Sequence, residues 1–251
     1  MSLTEKLSSR INEIQLNLRE RVTGKIVMRS RLPLPTYDEQ TDAEQNFYRL
    51  LLARALDAPT NAADVVWDIG CRNWSYAPAL ADVFPQARLI GVEVDGRRRY
   101  WNLYRRMDYA TAQASSLSLD GRDSQCVFAD FRNVPVEFAL NAGETSMFCF
   151  FFPFVSPNPC LKWGLPLHFA NFENLLRHAR TGAIRAKSDA EFVSCHQGEW
   201  EAEIAKEAYE NLGLAVKHSV VNAREYEGLW PSSHDVHVLT SVTRGTETTL
   251  P

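Results

Sequence analysis

The chain has 251 residues, 45% of them hydrophobic and 23% charged, which argues against disorder and suffices for one large α/β domain with additions or two small ones. A formal net charge of −4 excludes a strongly basic coat for nucleic acid, though not a local patch. Five scattered cysteines (Cys71, Cys126, Cys149, Cys160, Cys195) form no CxxC pair, so neither a zinc site nor a disulfide framework is expected, and free thiols point to a reducing, cytoplasmic compartment.

Thr4 to Val27 is rich in helix formers, and Leu7, Ile11, Ile14 and Leu18 recur at helical spacing, an apolar stripe that must cover something. Leu32 to Pro35 carries two prolines and reads as a linker. Asp42 to Leu56 predicts a second helix with Phe47, Leu50, Leu51 and Ala55 on one side. Residues 1–60 are thus expected to be a helical extension shielding the substrate side, 61–245 the main domain and 246–251 a frayed tail. The N-terminus is too polar for a signal peptide, and the most apolar run, Met147 to Val155, is too short to span a bilayer, so no membrane role is expected.

From Asp64 short apolar runs alternate with helical patterns. The predicted strands are Asp64–Ile69, Arg88–Glu93, Gln125–Asp130, Ser146–Phe152 and Glu191–His196, with helices at about Tyr76–Phe84, Gly96–Ser116 and Leu167–Ala179. A further helix, Glu199–Leu212, carries Trp200, Ile204, Ala208 and Leu212 as its expected inward stripe. Leu214–Val221 and Asp235–Thr243 are separated by a loop without helical pattern and are expected to pair antiparallel. The whole predicts a Rossmann-like, doubly wound α/β fold: a mostly parallel seven-stranded sheet with an antiparallel terminal hairpin and an N-terminal helical extension.

The first strand runs into Asp68-Ile69-Gly70-Cys71-Arg72-Asn73-Trp74, the second ends in "IGVEVD", and the third in "CVFADF". This pattern resembles the class I S-adenosylmethionine-dependent methyltransferases over roughly Ala63 to Arg244. In that family an acid-x-Gly-x-Gly-x-Gly loop follows the first strand. Asp68 and Gly70 match it, whereas Arg72 and Trp74 stand where the second and third glycines would be. The resemblance implies S-adenosyl-L-methionine as cofactor, with Asp68, Gly70, Cys71 and Arg72 in its loop. It also implies Glu93 as partner of the ribose hydroxyls, with Asp95 as the alternative, and Asp130 and Phe131 beside the adenine. Arg72 is expected to pair with the cofactor's carboxylate, since a guanidinium fork suits that group. A nicotinamide-binding fold would need a G-x-G-x-x-G run to cradle a diphosphate, and the chain has none.

Methyl transfer needs the acceptor held in line with the methyl group, and a base only if the acceptor must lose a proton early. After the fourth strand, Phe152, Pro153 and Phe154 are the expected substrate-binding residues. Phe152 occupies the Asn/Asp place of base N-methyltransferases, which speaks against that chemistry, and the run has only a faint likeness to tRNA guanine-N7 methyltransferases. His196, after the fifth strand, and His168 are the candidate catalytic bases; no metal is expected. Arg97, Arg98, Arg99, Arg105 and Arg106 are read as a solvated face around a stripe of Tyr100, Leu103, Met107, Ala110 and Ala114. The leading expectation is methyl transfer to an unidentified acceptor, a small molecule before a nucleic acid. The alternatives are a non-catalytic cofactor-binding or interaction protein and an RNA (tRNA) methyltransferase.

Overall fold

A computed structural model describes residues 2–23, 39–56, 63–101, 104–229 and 233–245. Two helices, α1 (Leu3–Thr23) and α2 (Glu39–Ala55), precede β1 (Val65–Ile69), α3 (Ala77–Val83), β2 (Arg88–Val92), α4 (Arg106–Leu119) and β3 (Ser124–Val127). Then come β4 (Thr145–Phe151), α5 (Pro157–Lys162), α6 (Phe172–Ala186), β5 (Asp189–Gln197), α7 (Glu199–Asn211), β6 (Lys217–Val221) and β7 (Val236–Thr243). The strands form one sheet in the order β3-β2-β1-β4-β5-β7-β6. The first five are mutually parallel, and β7 runs antiparallel to both β5 and β6. All seven predicted strands are present, and the terminal pair is antiparallel as expected.

The reason lies in the strand sequences. β1 and nearly all of β4 are buried on both faces, as a sheet covered by helices on each side demands. Along β4 the side chains alternate: Met147, Cys149 and Phe151 join the core under α2, α3 and α4, while Phe148 and Phe150 join the core under α6 and α7. On the second face Trp67 stacks on Phe148, and Phe148 on Phe192, with ring centres 6.1 and 5.6 Å apart. The chain leaves β1 toward β3 and returns to β4 on the other side of β1. This reversal opens a crevice at the strands' carboxyl ends.

Several helices depart from expectation. α4 begins at Arg106 rather than Gly96, and just ahead of it Arg99 and Arg105 are joined by an antiparallel bridge. Asp108 closes that start by accepting the Arg105 N–H at 2.7 Å. The α4 stripe is therefore Arg106, Ala110, Ala114 and Leu117; Tyr100 lies outside the helix and Leu103 outside the described residues. Leu167–Ala179 is displaced: α6 starts only at Phe172, where Asn171 accepts the Asn174 N–H at 3.0 Å, and runs on to Ala186. On α7 the inward side is Ala202, Ala205, Ala208, Tyr209 and Leu212; Trp200 is 64% exposed. The helix α5 was not foreseen.

The N-terminal elements differ from one another. α2 is built into the core through Phe47, Tyr48, Leu51 and Leu52. α1 docks by its polar side. Asn12 donates to the Leu161 and Leu165 carbonyls at 3.2 and 3.0 Å, and Ser9 accepts the Leu167 N–H at 2.8 Å. These bonds satisfy backbone groups around the end of α5. The stripe of Leu7, Ile11, Ile14 and Leu18 consequently faces outward, contrary to expectation. The Leu32–Pro35 linker and the 246–251 tail lie outside the described residues.

Candidate functional site

The loop after β1 hangs from β2: the N–H groups of Gly70 and Cys71 donate to the Val92 carbonyl at 2.8 and 3.2 Å. Its backbone is left-handed at every second residue, with φ of 88° at Gly70, 55° at Arg72 and 56° at Trp74. These are the three places a glycine-rich loop would give to glycine. The conformation costs a non-glycine residue about 1–2 kcal/mol, and local contacts offset it. Trp74 is fully buried and its Nε1 donates to Asp68 Oδ2 at 2.8 Å, while the Arg72 N–H donates to Glu93 Oε2 at 2.8 Å. The close approach has moved to the neighbouring strand. A Cβ on Gly91 would come within 3.0 Å of both Cys71 Sγ and the Trp74 ring. Cys71 accordingly points into the core rather than the crevice, and burial pushes its thiol up.

Asp68 is likewise a structural partner. It is 1% exposed, receives Trp74 Nε1 and the Tyr76 hydroxyl, and is absent from the residues lining the crevice. Burial raises its pKa from 3.8 to about 7 against those two hydrogen bonds. Between roughly pH 4 and 7 the folded protein therefore holds a proton that the unfolded chain has lost. That contribution to stability is full below pH 4 and gone once the pH passes about 7. Asp68→Asn has no such proton, so its denaturation free energy should fall less than wild type's between pH 5 and pH 8. Equal falls in the two proteins would contradict this.

The crevice is a cavity of about 240 Å³ at the carboxyl ends of β1, β2, β4 and β5. Gly70, Arg72, Glu93, Arg106, Asp130 and Phe131 line it together with Phe152, Phe154, Trp163, Phe169, Gln197 and Glu201. Glu93 is 4% exposed and holds the loop and the turn after β2 together. Besides the Arg72 N–H it accepts the Asp95 N–H at 2.6 Å, and Arg106 lies 3.5 Å away. Burial raises its pKa, opposed by Arg106 and the two backbone donors. Asp95 does not line the cavity. It is 1% exposed and meets Arg19 of α1 and Arg98 at 3.5 Å and Arg106 at 3.9 Å. Arg106, read from sequence as part of a solvated face, is thus buried between two acids.

Arg72 lines the cavity, with Glu44 of α2 at 3.7 Å, and its guanidinium stands 5.8 Å from the Trp163 ring centre; that of Arg106 stands 5.4 Å away. Asp130 lines the cavity too, but Arg132 occupies both its oxygens with four hydrogen bonds of 2.5–3.1 Å. Phe131 presents its ring between cavity and core. Phe152, at φ 56°, stacks on Phe47 at 6.1 Å, and Pro153 and Phe154 continue the wall.

Neither candidate base lines the cavity. His196 is fully buried beneath Phe172, with Nε2 2.9 Å from Ser194 Oγ, and burial lowers its pKa to about 3, so it is a neutral core residue. Its strand continues to Gln197, one residue past the predicted end, and Gln197 faces the site instead. His168 is exposed, its ring against Phe169 at 4.2 Å. Tyr48, Arg106, Trp163 and Glu201 were missed. Tyr48 lay one position past Phe47 of the expected α2 stripe, Trp163 just after the unforeseen α5, and Glu201 beyond the more conspicuous His196. Among the described residues no His, Cys, Asp and Glu group has metal-binding geometry, and no helix is long and apolar enough to cross a membrane.

No protein-family model and no curated protein matches the sequence. Solved structures of similar fold include magnesium protoporphyrin IX methyltransferase from Synechocystis PCC 6803 with bound SAH. It is 10% identical, with a TM-score of 0.50 over 92% of this chain and 98% of that one. A SAM-dependent methyltransferase from Aquifex aeolicus is 15% identical, with a TM-score of 0.48 over 82% and 93%. Precorrin-6y C5,15-methyltransferase from Geobacter metallireducens GS-15 is 14% identical, with a TM-score of 0.49 over 82% and 92%. At 10% identity the likeness to the Synechocystis structure is one of fold, and the strand order and the antiparallel β7 agree with it. The chain has the class I S-adenosylmethionine-dependent methyltransferase fold.

Proposed function

We propose that the protein is an S-adenosyl-L-methionine-dependent methyltransferase acting on a small molecule. One observation carries the reading: Gly70, Arg72 and Trp74 keep a glycine-like backbone although two are not glycine, and Glu93 faces the cavity beside them. Left-handed backbone at non-glycine residues is uncommon and clusters at functional sites, which supports a retained use for the loop.

The residues fit the cofactor. Space at Gly70 is open, with no atom within 4 Å of an added Cβ. Glu93 holds one backbone N–H on each oxygen and has acceptor capacity left for a ribose diol. Arg72 suits the carboxylate, and Phe131 the adenine ring. Two departures accompany this fit. Asp68 is sequestered by Trp74 and Tyr76, and Asp130 is saturated by Arg132. The cofactor when bound supplies a methyl group on a sulfonium, activated for displacement. The chain's part is orientation and exclusion of water by the aromatic wall. With His196 buried, no histidine base is assigned.

A small acceptor is favoured over nucleic acid because the basic tract is largely spent. Arg98 is paired with Asp95, Arg105 with Asp108, and Arg106 with Glu93 and Asp95. Arg72 variants test the cofactor arrangement. Arg72→Ala should lower S-adenosylmethionine affinity roughly tenfold or more, the scale of a charge-assisted hydrogen bond, with little change in the empty protein's melting temperature. Arg72→Lys should be intermediate. Calorimetric titration showing unchanged affinity for both would remove Arg72 from the cofactor's carboxylate.

A further inference from the structure

α1 inverts the usual arrangement of a surface helix: its polar side docks and its apolar side faces water. Ser9, Asn12 and Arg19 meet the fold. Asn12 is buried on the Leu161 and Leu165 carbonyls, Ser9 accepts the Leu167 N–H, and Arg19 lies 3.5 Å from Asp95. The opposite side carries Leu3, Leu7, Ile11, Ile14 and Leu18 in one row, each between 46% and 83% exposed. Exposed apolar rows of this kind mark surfaces that another body covers.

The pattern of the row says what fits it. Leu7, Ile11, Ile14 and Leu18 follow at steps of four, three and four residues, the a/d spacing by which one helix packs along another. Both the steps and the residue types read the same from either end. A two-fold axis passing between Ile11 and Ile14 therefore lays Leu7 on Leu18, and Ile11 on Ile14, of a second copy running antiparallel, a self-complementary contact. The charges agree with it. Arg10 borders the row and is bonded to Glu13 of its own helix at 2.8 Å. Antiparallel pairing brings Glu13 and Asn17 of the second copy alongside Arg10 as well. The other border, Thr4, Ser8 and Gln15, is exposed and uncharged, unlike the basic border by which helices lie on anionic lipid. We infer that α1 is the surface through which two copies of this chain associate, antiparallel about an axis between Ile11 and Ile14. The inference does not depend on the methyltransferase reading. Because α1 is already folded and docked, pairing carries no cost of ordering it. Five partly exposed aliphatic side chains offer about a few hundred Å², short of the roughly 800 Å² that each partner gives to a standard interface, so the dimer is a weak one.

Sedimentation equilibrium of the full chain from about 1 to 200 μM should show monomer passing to dimer by mass action, with a midpoint at roughly tens of micromolar. Ile14→Lys, at an exposed position, should raise the dissociation constant at least about tenfold and leave the melting temperature of the dilute monomer unchanged. Should that variant not fold, Leu7→Ser should act in the same direction. Arg10→Glu should weaken the dimer, and Arg10→Glu combined with Glu13→Arg should restore it. Cross-linking reads the direction of pairing. Under mild oxidation a mixture of Leu7→Cys and Leu18→Cys chains should form the mixed disulfide above the level of wild type, and neither variant should link to itself. A chain that stays monomeric at about 200 μM, a dimer that neither row variant weakens, or Leu7→Cys chains that link to one another would overturn the inference. So would a monomer that binds anionic phospholipid vesicles through the same row, which would assign the face to a lipid surface.

Discussion

Glu93→Ala is expected to weaken S-adenosylmethionine binding by about 1.5–3 kcal/mol, roughly ten- to 150-fold, the range for hydrogen bonds to a charged group. Two losses combine. The ribose hydroxyls lose a carboxylate, and the loop loses the acceptor that fixes the Arg72 and Asp95 N–H groups. Arg106 is left in a buried position with Asp95 as its remaining close acid, so the empty protein should also melt lower. Glu93→Gln keeps an acceptor for one backbone donor and should recover part of the stability but little of the affinity. Calorimetry and thermal denaturation on the two variants separate these contributions. Unchanged affinity in a folded Glu93→Ala protein would show that the ribose is held elsewhere.

Trp74→Ala should produce the largest loss of stability, about 3–5 kcal/mol for deleting a fully buried indole. The variant also strips Asp68 of its closest donor. That is a large share of the ~5–15 kcal/mol typical of a folded domain. A second substitution tests the backbone itself. In an ordinary position glycine is worse than alanine by about 0.5–1 kcal/mol. At φ 56° the order should reverse, so Trp74→Gly should be the more stable of the two in urea denaturation. Alanine proving the better replacement would mean that the loop does not hold a left-handed conformation at this residue.

The strands were legible because each is a short apolar run bounded by turn residues, and a sheet buried on both faces imposes that pattern. Their order followed from the alternation with helices. The helices were less legible where side-chain chemistry overrides periodicity. Arg106 reads as one more arginine in a basic tract, yet it is the residue that Glu93 and Asp95 draw inward. Leu7, Ile11, Ile14 and Leu18 have core-like spacing, but Asn12 and Ser9 supply the hydrogen bonds that decide which side of α1 docks. Glu93 and Arg72, expected from the family likeness, and Phe152–Phe154, expected at the end of the fourth strand, all line the cavity. The capture of Asp68 by Trp74 was not legible, because it depends on a left-handed turn that sequence spacing does not reveal. Nor was the burial of His196, since the residue lies within β5 and not beyond its end.

The central claim is that a loop with one glycine still presents a cofactor site. Isothermal titration of the full chain with S-adenosylmethionine and S-adenosylhomocysteine tests it most directly. Saturable binding of both at one site per chain, lost or sharply weakened in Glu93→Ala, is the predicted result. No heat of binding for either ligand at about 1 mM, an affinity weaker than about −4 kcal/mol, would contradict it and leave the fold as a scaffold without its cofactor.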